Sequence, residues 1–425
     1  MKKVLSLALV LLMAVSVFAI GGKETTAKAD GEAVTLSVYW WGNQVRNDVT
    51  QKAIDLYMKQ NPGIKIKTEF TDWSGYWDKL AATAAGGKMP DIIQMDYAYI
   101  HQYQASNLLA DLTPYIKDGT IDTANVPQSI IDSGSLYGKV YAISLGSNAP
   151  CMIYDKAITD KAGITIPEQL TLSELYELGE IIYEKTGVKT YFDGGLNMMQ
   201  VVARCYGSHL FDELANNDPT SVLKHFENVV YFNDSEASLA PDILAEKNPE
   251  VVESKPIING TTWNDFAYSN QYIAVLNAAG RPLAMTMYPK MDDATTQPMF
   301  LKPSLFFSVA ESSTNKKEAA AFIDWFTNSV EANKILGAER GIPISTVVAD
   351  GIKPVVSAES AYIFDYIAAV GEIATSIDAP DPNGKDEIDS IGKTLVEDVR
   401  YGDCTAGSAA FEFVSRSYNI LLQAQ

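Results

Sequence analysis

Cysteine, histidine and basic charge are the scarce commodities of this 425-residue chain. Cys151, Cys205 and Cys404 stand too far apart for any zinc-site spacing, and an odd number permits at most one internal disulfide. His101, His209 and His225 are too scattered for an H-E-x-x-H metal pair. The G-x-S-x-G elbow, the G-x-x-x-x-G-K-S/T phosphate loop and the G-x-G-x-x-G dinucleotide turn are all missing, so no motif names a catalytic residue, metal or cofactor. Carboxylates are plentiful, which keeps a glycosidase-like acid/base pair open on counting alone. With 33 Lys and Arg against 53 Asp and Glu, the formal net charge is −20. Nucleic acid and anionic membrane both demand clustered basic residues, so neither is an expected partner. A monomer kept soluble by self-repulsion fits the balance better.

Long apolar runs are also lacking. The longest, Val4–Val17, falls short of the roughly 20 residues of a membrane span. It follows Lys2 and Lys3 and precedes Val17-Phe18-Ala19, which reads as a signal peptide over 1–19 cleaved after Ala19. Residues 20–33 are small and polar and read as a flexible leader. No cysteine lies near the cleavage point to carry a lipid, so the expected location is the periplasm, in soluble form.

What is present is an ordinary globular composition, 47% hydrophobic and 20% charged, in a chain long enough to need two cores. Thr35–Tyr39 has the β-branched and aromatic make-up of a strand and runs into Trp40, Trp41 and Gly42, then Asn43, Gln44 and Arg46. Side chains alternate along a strand, so the two indoles cannot share one core. One of them is therefore expected at the carboxyl end of the strand, where open α/β sheets bind ligands. A flat apolar ring beside amide groups suits a sugar, which has apolar faces and a hydroxyl edge. A helix follows and stops at Asn61-Pro62-Gly63. Ile64–Phe70 alternates apolar with polar or charged residues as a half-exposed strand, Tyr76–Ala85 is a second helix, and Pro90–Asp96 a third, buried strand. Trp73, in the turn before the second helix, either lines a cleft or packs on that helix. Asp96, at the carboxyl end of the third strand, either accepts a pair of hydroxyl protons or caps the next helix. Thr171 and Glu174 form a capping box opening another helix.

Several local patterns together resemble one family. They include Trp40-Trp41-Gly42, Asn61-Pro62, Tyr76-Trp77, Pro90-Asp91-Ile92, Leu108–Leu112 and Gly138-Lys139-Val140-Tyr141-Ala142-Ile143. Further along come Tyr154-Asp155-Lys156, Ala162-Gly163-Ile164, Lys317–Ile323 and Glu339-Arg340-Gly341-Ile342-Pro343. In order and spacing the chain resembles family 1 extracellular solute-binding proteins of carbohydrate ABC transporters. Two departures, Ser144 where proline is usual and Leu172 where a Thr-Trp pair often opens the helix, bear on subfamily.

The resemblance implies an α/β, two-lobed periplasmic-binding-protein fold (type II), each lobe a mostly parallel sheet flanked by helices and joined by hinge crossings. The amino-terminal lobe would comprise 34–143 plus 302–342, and the carboxyl-terminal lobe 144–301 plus 343–425. It further implies capture of a sugar or oligosaccharide by hinge closure and delivery to a membrane permease, without any reaction. A secreted carbohydrate-active enzyme, or the same fold with a non-sugar solute, are the alternatives. In the second lobe Trp263 is the expected stacking residue, with Tyr268 and Asn270 in the same loop. Asn148 is expected on the hinge side. Arg340 either reaches the cleft or pairs with an acidic surface.

Overall fold

The computed structural model describes residues 33–245 and 252–423. The expected signal segment 1–19, and the expected leader up to residue 32, lie outside the described residues.

The first sheet is built around β1 (Val34–Trp41), which pairs in parallel with β2 (Ile64–Thr71) from Val34↔Ile64 to Trp41↔Thr71. On its other side it pairs in parallel with β3 (Ile92–Met95), Val38 opposite Ile92. Strand Phe306–Val309 then pairs antiparallel with β3, and Ile143–Ser144 closes the far edge. Two helices sandwich β1. Helix α1 (Gln44–Gln60) starts where the Asn43 side chain accepts the Arg46 N–H at 2.9 Å. Helix α2 (Trp73–Ala85) starts where Asp72 accepts from Gly75 N–H. Both faces of β1 are thereby covered, and every residue from Val38 to Trp41 is buried. Helix α3 (Tyr97–Ala105) follows β3 directly, with Asp96 at its N-cap.

The second sheet has three strands, with Pro150–Asp155 between Leu283–Thr286 and Asn264–Tyr268. Both pairings are antiparallel. This corrects the expectation of a mostly parallel sheet in each lobe. A parallel pair follows from a short strand–helix–strand crossover, whereas the chain between Asp155 and Asn264 is a long excursion through several helices that permits either direction. Leu172–Thr186 opens with the expected capping box, Thr171 accepting from Glu174 N–H and Glu174 from Thr171 N–H. Asn315, in contrast, makes no side-chain cap for helix Lys316–Asn328; its amide donates to the Thr35 carbonyl, tying that helix to β1.

Three chain segments cross side by side between the two sheets. Ser147–Asn148 pairs antiparallel with Lys302–Pro303, and Ser147 N–H also donates to the Ile342 carbonyl at 2.9 Å. All three cysteines are free thiols; Cys151 and Cys205 are buried, and burial pushes the Cys205 thiol up to about 11. Among the described residues no helix is long and apolar enough to cross a membrane.

Candidate functional site

A cleft of about 600 Å³ opens between the two sheets, beside the crossing segments. The first lobe contributes the turn from β3 into α3: Asp96, Tyr97 and Ala98. These residues stand there because β3 is buried throughout and must end at the sheet edge, where Asp96 leaves the strand and caps the helix, accepting from Ala98 N–H at 3.0 Å. Asp96 thus lines the cleft and caps α3 at once.

The second lobe contributes the carboxyl end of strand Asn264–Tyr268, where Phe266, Ala267 and Tyr268 reach the cleft. The backbone N–H of Tyr268 donates to Gln271 Oε1 at 3.1 Å, and the Lys302 ammonium lies 4.7 Å above the Tyr268 ring. Burial, together with Asp381 and Asp378, raises the Tyr268 hydroxyl to about 12, and burial beside Asp378 does the same to Tyr97. Both rings therefore present neutral hydroxyls at any physiological pH.

Asp193 and Lys255 line the floor. Asp193 accepts from Gly195 N–H at 2.9 Å, and burial raises its carboxyl above the usual carboxylate range despite the nearby positive charges of Arg400 and Lys255. Lys255 is itself buried and donates to Asp265 Oδ2 at 2.7 Å and to the Phe266 carbonyl at 3.3 Å. A buried ion pair of this kind fixes geometry more than it stabilises. Here it pins the strand end that carries Phe266 to Tyr268.

The remaining wall is loop 377–381 together with Phe300 and Lys302. It is organised by Arg204, a buried residue on helix Leu196–Cys205. The guanidinium donates to the Pro298 carbonyl at 2.9 Å, the Ser376 carbonyl at 2.8 Å, the Thr375 hydroxyl and the Asp378 carboxylate, and lies 4.7 Å above the Phe300 ring. His209 also contacts the Asp378 carboxylate, at 2.7 Å. Across the cleft, the Tyr97 hydroxyl donates to the Asp378 carbonyl at 2.7 Å, a direct bond between lobes. No group of three or more His, Cys, Asp or Glu side chains among the described residues is arranged to hold a metal ion.

Of the twelve residues singled out in the sequence, the cleft brings together Asp96 and Tyr268. Trp40 is fully buried, its indole N–H donating to Asn47 Oδ1 on α1 at 2.9 Å, and Trp41 is buried against Trp73, Tyr76 and Trp77 of α2. The expectation that one indole is displayed fails because the sheet is covered on both faces, so alternation gives each indole a core of its own. Trp263 is likewise sealed in the second lobe, with its indole N–H on Thr190 Oγ1 at 2.9 Å. It belongs to packing rather than to stacking on a ligand. Arg340 is buried beneath the strand ends, donating to Gln94 Oε1 and Thr50 Oγ1 and lying 3.9 Å from the Glu339 carboxylate, and it does not line the cleft.

Arg46 pairs with Glu339 at 2.8 Å; Asn43 is spent on capping α1, and Gln44 donates to Asp48 on the same helix. Asn148 lies in the first crossing, opposite Lys302, and outside the cleft wall. Asn270 is exposed and also outside it. Trp73 is exposed at 43% and packs edgewise on Trp41 and Trp77. Tyr97, Asp193, Lys255, Lys302 and Asp378 escaped the sequence reading. Of these, only Asp378 lies in a stretch whose sequence, DAPDPNG over Asp378–Gly384, marks a turn.

Comparison with known proteins adds a family. The profile of the family described as bacterial extracellular solute-binding protein matches residues 52–362. A solved family 1 extracellular solute-binding protein from Alicyclobacillus acidocaldarius superposes with a TM-score of 0.84 at 26% identity, covering 92% of this chain and all of that one. A periplasmic oligogalacturonide-binding protein from Yersinia enterocolitica gives a TM-score of 0.77 at 24% identity over 92% of this chain and all of its own. A maltotriose-binding protein from Pyrococcus abyssi is 23% identical over 332 residues, 75% of this chain and 69% of that protein.

Proposed function

Taking as premise that the chain belongs to the bacterial extracellular solute-binding protein family, we propose that it is a periplasmic receptor for a sugar or oligosaccharide. It hands its ligand to the membrane permease of an ABC transporter and carries out no reaction itself. The observation that carries this reading is the make-up of the cleft. Neutral phenols from both lobes, Tyr97 and Tyr268, and the Phe300 ring stand among Asp96, Asp193, Asn197 and Gln200. Aromatic faces with interspersed hydrogen-bonding groups match a ring that is apolar on its faces and hydroxylated on its edge. The names of the maltotriose and oligogalacturonide receptors support the same ligand class.

Function follows from the two lobes. Ligand held by one lobe favours closure only through contacts improved in the closed state, and here the second lobe supplies them. The lobes divide at the three crossings near residues 144, 302 and 342, and the closed pair presents one joint surface to the permease. The mature protein acts as a monomer after removal of residues 1–19.

A thermal-shift screen tests the reading, with mono- and oligosaccharides against peptides, polyamines and ferric citrate. A ligand at 100 times its Kd adds about 2.7 kcal/mol of stability, which moves the melting temperature by a few degrees. A saccharide that shifts the melt and is recovered intact supports the receptor. Recovery as fragments supports an enzyme, and shifts with a control solute alone reassign the ligand.

A further inference from the structure

Outside the cleft wall, the first lobe carries an aromatic cluster that the cleft does not absorb, with one exposed ring, Trp73, resting on buried and half-buried ones. Trp41, Trp73, Trp77 and Tyr99 meet at the carboxyl ends of β1 and β2, with ring centroids 4.0 to 6.2 Å apart. Among the six tryptophans Trp73 alone is exposed. Its contacts are all steeply inclined: 87° to Trp41, 76° to Trp77 and 63° to Tyr99. Trp77, by comparison, is covered face to face by Tyr99 at 4.0 Å and 21°. Trp73 is thus held in a fixed orientation by its neighbours, while no aromatic ring among the described residues lies parallel to it. A large apolar ring so held, with part of its surface open to water, is available to stack on a ligand ring.

Its position relates it to the cleft. Asp96, Tyr97 and Ala98 line the cleft, and Tyr99, the next residue of α3, is part of the aromatic cluster. Trp73 stands at the carboxyl end of β2, two strands from Asp96 at the end of β3, which is about 10 Å along the same sheet edge. Trp73 and the three rings that support it carry no charge, in contrast to the cleft with its aspartates and lysines. An exposed, uncharged ring beside a polar cleft suits a further ring of the same ligand, stacked by its apolar face.

We propose that Trp73 and its supporting rings form an outer subsite that stacks an additional sugar residue, so that the physiological ligand is an oligosaccharide extending beyond the cleft. The proposal rests on the sugar reading of the cleft and refines it by chain length.

Calorimetric titration with two homologous linear series, neutral gluco-oligosaccharides and galacturonides, each from mono- to hexasaccharide, tests it in the wild type, Trp73→Ala and Trp73→Phe. In the series that binds, the wild type is expected to gain affinity with length. Trp73→Ala loses about tenfold for the longer members and leaves the shortest binding member unchanged. Trp73→Phe restores most of that loss. Trp73→Ala also gives up edge contacts to Trp41, Trp77 and Tyr99 and lowers the melting temperature of the free protein. That lowering is the same whatever the ligand length and so does not mimic the length-dependent effect. Equal loss at every length, or no loss at any length, overturns the outer subsite while leaving the sugar reading intact. Where neither series binds, the same three proteins are titrated with the homologous series of whichever saccharide shifts the melt. Failure of every mono- and oligosaccharide to bind the wild type overturns the sugar reading and the subsite with it.

Discussion

Asp193 shows how a single cleft residue divides between stability and function. Burial holds its carboxyl above the usual carboxylate range, so the folded state bears a cost for its charge at neutral pH. That same charge strengthens any hydroxyl bond it accepts from a ligand. Asp193→Asn keeps the oxygen that accepts Gly195 N–H and discards the charge. The expected outcome is a melting temperature unchanged or raised, with saccharide affinity lowered about tenfold, the scale of one charge-assisted hydrogen bond. Calorimetry and thermal melts on the same variant check both, and a drop in stability with unchanged affinity would place Asp193 outside the site. Trp263 is the opposite case. Its indole and its hydrogen bond to Thr190 are sealed in the core, so Trp263→Ala is expected to cost about 3–5 kcal/mol of stability, read from denaturant unfolding, and to tell nothing about ligand contact. Residue type alone could not separate the two. A tryptophan attracts attention in a sequence because of its size, and size is also why it is buried. An aspartate among 53 acidic residues attracts none, and what singles out Asp193 is a neighbourhood assembled from distant segments.

At the scale of elements, local chemistry was readable and direction was not. The β1–α1–β2–α2–β3 order, the capping box at Thr171 and the stop at Asn61 follow from periodicity and capping side chains within a few residues of each other. The antiparallel second sheet depends on how a long helical excursion returns, which no local pattern records. Loop 375–381 has the same character. Its turn residues mark it as a loop, yet its place in the cleft depends on Arg204, more than 170 positions earlier in the chain. Arg204 is a positioning residue: it touches the loop from behind, while Tyr97 takes the Asp378 carbonyl from across the cleft. Arg204→Lys preserves a cation for Asp378 but loses the planar fork that also reaches Pro298 and Ser376. It is expected to weaken saccharide binding about tenfold, Tyr97→Phe by less, and the double variant by less than the product of the two, since both act through one loop. Strictly multiplicative losses in a calorimetric double-mutant cycle would show that the loop does not link them.

For the whole molecule the question is whether the three crossings govern the relation of the lobes. Gly146 lies at the start of the first crossing, and a Cβ placed there would stand 2.2 Å from the Arg340 carbonyl oxygen and 2.9 Å from Ser304 Oγ. Both neighbours belong to the other two crossings, so all three segments meet at a point where only glycine fits. Alanine at 146 must push the first crossing away from the third, at a site that lines no part of the cleft. The Ser147–Ile342 hydrogen bond is the first contact to yield. Since each lobe keeps its own sheet, the displacement falls on the angle between lobes and alters the balance of open and closed forms. A ligand that bridges the cleft then binds less tightly by the free energy of restoring that angle, and about tenfold corresponds to about 1.4 kcal/mol. Gly146→Ala is therefore expected to change the small-angle scattering profile of the free protein, to lower saccharide affinity about tenfold, and to leave the far-ultraviolet circular dichroism unaltered. Wild-type scattering should contract on adding saccharide, and the variant should reach the same compact form at higher concentration. If scattering and affinity both match the wild type, the crossings absorb the added methyl without moving the lobes, and closure must be controlled elsewhere.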